Sequence, residues 1–330
     1  MSALPPLGPP LFDPADRVPA LGALRTAVHA RDWAAITAHF DATAEEDDRP
    51  ADCRVIAETP GAETFLREVV RQRPRDPLAR TLLADRTIQI GWGIRTAAGA
   101  QHVSRAQFDQ FFAHLRVAEQ LLIEVCAEYP QYSLAWYLRV ITARGLELGS
   151  SETRRRYQRL AEHHPHHLPG QMQLLQQLCP KWSGSWEAAH GFAQEATAEA
   201  PEGAPAGALV AIVQMEQYLE LRKKENDTAA AGYLREPGNH ARLLDAARRS
   251  VLHPAFRTGG APAVAAHSAF AAAHSAAGRP ADAAPHFHAL LALGNAASEV
   301  PWGYLGQYDH EAEFVRHRKL ALAAVPAARD

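Results

Sequence analysis

Two tryptophans and a lysine are concentrated in Pro180-Lys181-Trp182-Ser183-Gly184-Ser185-Trp186, in a chain with six tryptophans. A cation beside an indole is a recognition platform, because an aromatic face attracts a cation or holds a peptide side chain. Trp92 and Arg95 are three residues apart and share a face if their helix runs on. With Trp136 and Arg139 they would line a concave surface. Trp92, Arg95, Trp136, Arg139, Lys181 and Trp182 are therefore the candidate binding set. The competing assignment for every one of them is packing. Trp182 would then sit at a joint between helices, and Trp92 and Trp136 would belong to an aromatic core seam.

Other reactive residue types have a plainer reading. His163-His164-Pro165-His166-His167 offers imidazoles, common ligands for zinc or nickel. Adjacent histidines divided by proline cannot all converge, so a solvated turn is expected and no metal site. His267 and His274, seven apart, read as incidental. His310-Glu311 lacks the second histidine of a zinc-protease motif. No glycine-rich phosphate loop or nucleophile elbow occurs, so no catalytic residue and no cofactor is assigned. Arg154, Arg155 and Arg156 read as a solvated helix face. Cys53, Cys126 and Cys179 are an odd, widely spaced set, which makes neither a disulfide framework nor a zinc knuckle and fits a reduced, cytoplasmic setting. The net charge of −3 argues against a general nucleic-acid binder. No apolar run is long enough for a membrane span.

The elements that must position the candidates read as helices throughout. Residues 1–17 carry five prolines and form an extended tail or a strap over the first helices, with Leu11 and Phe12 as anchors. Asp32 and Asp76 stand at helix starts, and Pro77 follows the second. Ser104 to Gln107 matches a capping box. Ser185 caps a helix that begins at Trp186. Glu45 to Asp48 reads as a solvated acidic loop. Ile88, Ile90, Trp92 and Ile94 alternate as in a strand, but a lone strand has no partner, so a helix giving way to an extended loop is expected. Pro130, Pro165 and Pro201 recur at a spacing of about 35 residues, the period of paired-helix repeats. Residues 225–240 have loop composition and divide a helical region, 18–224, from a second, 241–330.

The helix pairs resemble tetratricopeptide repeats, best in Ala27 to Phe40 and in Ala271 to Phe287. Trp92 to Arg95, Phe108 to Leu115, Ala135-Trp136 and above all Pro180 to Ser185 are similar to a bacterial family known as domain of unknown function 4034. Its motif reads Pro-Lys-Trp-Gly-Gly-Ser, with Ser183 here in place of the first glycine. The resemblance implies a helical fold and no established activity. The expectation is an all-α protein of 12 to 14 helices in antiparallel pairs, stacked as a right-handed solenoid. Its expected function is non-catalytic binding of a protein or peptide on the concave face. The alternative is an enzyme or small-molecule binder with a pocket near Trp92, Arg95, Trp136, Lys181 and Trp182.

Overall fold

The computed structural model describes residues 7–96, 99–306 and 309–324, and residues 1–6 of the proline-rich tail lie outside that range. The described residues form 18 α-helices, three 3-10 turns and one isolated parallel bridge, between Leu11 and Ala296. The chain is thus all-α, with more and shorter helices than expected. It divides into two compact units, residues 18–184 and residues 185–330 together with the N-terminal segment up to Arg17.

A single turn, α1 (Pro14–Arg17), precedes the first unit. Residues 18–184 then form α2 (Pro19–His29), α3 (Trp33–Ala42), α4 (Arg49–Ala57), α5 (Ala62–Gln72), α6 (Pro77–Arg95), α7 (Arg105–Glu128), α8 (Ser133–Gly145), α9 (Ser150–Ala161) and α10 (Leu168–Leu178). Most helices adjacent in sequence pack on one another, α6 on α7 most extensively, while α4 packs on α2 and α6 rather than on its sequence neighbours. Local chemistry sets their starts. Asp32 accepts from the Ala35 N–H and Asp76 from the Ala79 N–H. Ser104 and Gln107 close the capping box, each side chain bonding the other's backbone N–H. The core between α6, α7 and α8 is built from Ile88, Phe111, Leu115, Leu122, Leu138 and Ile141.

Three expectations for this unit are corrected. The alternating stretch from Ile88 to Ile94 is helix, because α6 continues to Arg95. α6 is surrounded by α4, α5, α7 and α8, so its apolar residues occupy several faces and the one-sided helical period is lost. Gly91 serves this close packing, since a Cβ there would lie 3.2 Å from the His114 Cβ. The acidic run is not simply solvated. Glu46 accepts from the Ser133 hydroxyl, and the Asp47 carboxylate accepts from the Leu168 N–H at 3.4 Å. It leads directly into α4, a helix the sequence reading missed. In the histidine run, His167 is buried and caps α10, its Nδ1 accepting from the Gly170 N–H at 3.0 Å.

The second unit holds α11 (Trp186–Glu199), α12 (Ala208–Lys224), α13 (Asp227–Arg235), α14 (Pro237–Arg249), α15 (Gly260–Ala276), α16 (Pro280–Ala292), α17 (Glu299–Leu305) and α18 (His310–Ala324). The loop expected over 225–240 is mostly helix. Asn226 caps α13 through the Ala229 N–H, and Pro237 opens α14. Ala230 and Leu234 are fully buried, so tertiary packing overrides a composition that reads as loop. Phe287, Trp302 and Phe314 form an aromatic core, with ring centroids 5.1 to 5.6 Å apart. The described part of the N-terminal tail, Gly8 to Phe12, is a strap over this core. Leu11 exchanges backbone hydrogen bonds with Asn295 and Ala297, and Phe12 packs on His310 and Phe314.

Three histidines are buried between α15 and α16: His267, His274 and His286. Burial pulls the pKa of His267 and His274 down to about 4, and that of His286 well below 6.5. An unfolded histidine titrates near 6.5, so below that pH the unfolded chain holds more protons than the folded one. Stability therefore rises with pH through the window from about 4 to 6.5, and acidification removes it. His267 and His274 each cost about 2 kcal/mol on going from pH 7 to pH 5, and His286 acts in the same direction. Thermal melts followed by circular dichroism should show a large loss of Tm at pH 5, with a shallower pH slope for His286→Leu. An unchanged Tm between pH 7 and pH 5 would contradict this.

Candidate functional site

Of the six candidates, the structure brings Trp92, Arg95 and Trp182 together in residues 18–184. The two indoles, from α6 and from the 3-10 turn Pro180–Trp182, meet edge to face with centroids 6.2 Å apart. Each carries an arginine over its ring: Arg95 lies 5.7 Å from the Trp92 centroid and Arg144 lies 5.4 Å from that of Trp182. Arg95 also lies 5.9 Å from the Phe108 ring. Phe111 supports Trp92 from beneath at 4.7 Å. Both indoles are half-buried, and Lys181 is exposed on the turn beside Trp182.

The backbone explains why these side chains meet. Gln177 donates to the Trp182 carbonyl at 2.7 Å, and the Trp182 and Gly184 N–H groups both donate to the Cys179 carbonyl. This closes the Pro180–Trp182 turn onto the end of α10. Arg144 is held by a hydrogen bond to the Gln173 carbonyl at 3.1 Å. Gly145 leaves room for Trp92, Phe111 and Leu115, whose atoms would stand 2.5 to 3.5 Å from a Cβ placed there. The sequence reading missed Arg144, Phe108 and Phe111. Arg144 was within reach of it, because it lies on the same helix as Trp136 and Arg139.

Trp136 and Arg139 do not belong to this surface. Trp136 is buried and donates its indole N–H to the Pro130 carbonyl at 2.7 Å. Arg139 covers the Trp136 ring at 4.9 Å and belongs to a buried ion network. Glu119 of α7 accepts from Arg139 and Thr142 of α8 and from Arg156 of α9. Arg156 also bonds Glu152 at 2.7 Å. Glu119, Arg139 and Arg156 are only 8%, 9% and 4% exposed, so Arg156 is no solvated helix face. Glu119 pairs with both buried guanidinium groups, and Glu152 is a second partner for Arg156 alone. Glu119→Ala leaves both without that partner and should cost about 3–5 kcal/mol in a urea titration. A loss below about 1 kcal/mol would show that the network is dispensable.

The turn between Trp182 and Trp186 stores backbone strain. Ser183 has φ of 69° and ψ of 19°, the left-handed region that penalises a Cβ. At Gly184 a Cβ would lie 2.0 Å from the Leu178 carbonyl oxygen, so no side chain fits. Ser185 then caps α11 by accepting from the Ala188 N–H at 3.1 Å. Ser183→Gly should raise stability by about 1 kcal/mol, and Gly184→Ala should lower it by about 2 kcal/mol or more. Paired denaturant titrations test both, and a destabilised Ser183→Gly would contradict the strain argument.

Cavities of about 560 and about 290 Å³ are lined by residues within 194–320, including Arg222, Arg235 and Arg316 in the larger. None of the six candidates lines either one. In the larger cavity Arg222 pairs with Asp227 and Arg316 with Glu313, while Arg235 donates to the Ala277 carbonyl. All three cysteines are buried free thiols. Among the described residues no helix is long and apolar enough to cross a membrane. No protein-family model matches the chain, and no curated protein matches it.

Proposed function

We propose that this protein is a non-catalytic adaptor that binds an acidic protein or peptide segment on the surface around Trp92 and Trp182. The observation that carries the reading is the pair of half-buried indoles, each with an arginine over its face and with Lys181 alongside. Indole faces take up apolar side chains, while arginine forks match carboxylates. In this reading the sequentially packed helices of residues 18–184 form antiparallel, tetratricopeptide-like pairs in a right-handed stack, with the indole surface on its concave side. Sequential packing and the proline spacing support that arrangement. Three free, buried thiols support a cytoplasmic setting. A small-molecule or enzymatic reading needs an enclosed cavity at these same residues, and the cavities described are lined by others.

An array of acidic, neutral and basic peptides probed with the full chain tests the proposal. Acidic peptides should bind and weaken with added salt. The Arg95→Ala/Lys181→Ala double variant should bind them about tenfold more weakly, or worse, with an unchanged melting curve. Equal binding of basic peptides, or acidic binding that survives the double substitution, would refute this reading.

A further inference from the structure

A second chemistry, outside the indole surface, arises where three helices of residues 185–330 meet. α15 ends in a tight turn through Gly278, at φ of 70°, and the Arg279 N–H donates to the His274 carbonyl at 2.9 Å. This folds the first turn of α16 back on the last turn of α15 and sets Asp282 beside His274. α14 supplies His240, whose Nε2 lies 2.9 Å from an Asp282 carboxylate oxygen. One ligand atom from each of the three residues lies within 4.8 Å of the others.

The environment of His274 shows that something is missing from the hydrogen-bond scheme. Its side chain is fully buried, and neither ring nitrogen has a hydrogen-bond partner. Leaving a buried polar group unsatisfied costs about 1–3 kcal/mol, so native structures rarely keep one without a reason. Its ring stacks on His286 on one side, interplanar angle 11°, and meets the edge of the His240 ring on the other. His240 and Asp282 are 17% and 31% exposed, which gives an ion a way in and leaves room for water.

We propose that His240, His274 and Asp282 bind a divalent transition-metal ion of the zinc type. Two imidazoles and a carboxylate are the donor set for borderline ions such as Zn²⁺, and three protein ligands leave a fourth position for water or a substrate atom. Zinc–nitrogen bonds of about 2.0–2.1 Å place tetrahedral ligand atoms about 3.3 Å apart. Binding therefore draws His274 toward the His240–Asp282 pair, within the reach of side-chain rotation. The ion satisfies one orphaned imidazole nitrogen and ties α14, α15 and α16 together.

The test titrates Co²⁺ into the metal-stripped full chain, followed by visible absorption and by Zn²⁺ competition. His163→Gln/His164→Gln/His166→Gln serves as the background, because that surface histidine run can also capture ions. One equivalent of Co²⁺ should give a ligand-field band that Zn²⁺ abolishes, with a rise in Tm on loading. His240→Ala and Asp282→Ala replace partly exposed side chains, so the chain still folds, and each should weaken binding by about tenfold or more. Failure of the triple-variant background to bind Co²⁺, or retention of full affinity in both single variants, would overturn the proposal.

Discussion

The Glu119 carboxylate is the constraint on which residues 18–184 depend. It lies inside the helical packing, and its desolvation is offset only because arginines and a threonine from two other helices reach it together. A hydrophobic contact tolerates sliding, whereas charge-assisted hydrogen bonds to one carboxylate do not. The network therefore fixes the rotation and register of α8 and α9 on α7. Within α8 that register decides which residues face inward, as Trp136 and Arg139 do, and which reach the surface beside the indoles, as Arg144 does.

The indole surface is thus secondary to the buried ions. Trp92 is placed by α6 against Phe111, Trp182 by a turn tied to α10, and Arg144 by α8. No single element carries the surface. It exists because α6, α7, α8 and α10 share one packed arrangement. The strained Ser183 and the sterically obligate Gly184 show that the turn carrying Trp182 is held against its own backbone preference.

Features whose physics is local were legible in the sequence. The caps at Asp32, Asp76, Ser104 and Ser185 need only a side chain and an amide three residues on, and all four form. The helices α4 and α13 were not legible, because acidic and loop-like compositions hide segments whose helical state comes from burial of Ile56 or Leu234 in tertiary contacts. The alternation in α6 misled because a helix enclosed on several sides has no polar face to mark its period. At the candidate surface, Trp92, Arg95 and Trp182 were found by residue type. Trp136 and Arg139 have the same types but a different fate, since only the partner Glu119, twenty residues from Arg139, tells a buried guanidinium from an exposed one. The grouping of His240, His274 and Asp282 was similarly out of reach, because it depends on α14 lying against a turn more than thirty residues later.

The strap from Gly8 to Phe12 has a temporal consequence. Its partners, Asn295, Ala297, His310 and Phe314, are made nearly three hundred residues later. At about 5–20 residues per second, a ribosome needs ~15–60 s to deliver them. Within that interval residues 18–184 can acquire all of their own contacts, while the strap waits without its binding groove. The strap, though synthesised before residues 18–184, is therefore among the last segments to dock, and the aromatic core of Phe287, Trp302 and Phe314 stays open on one side until it does.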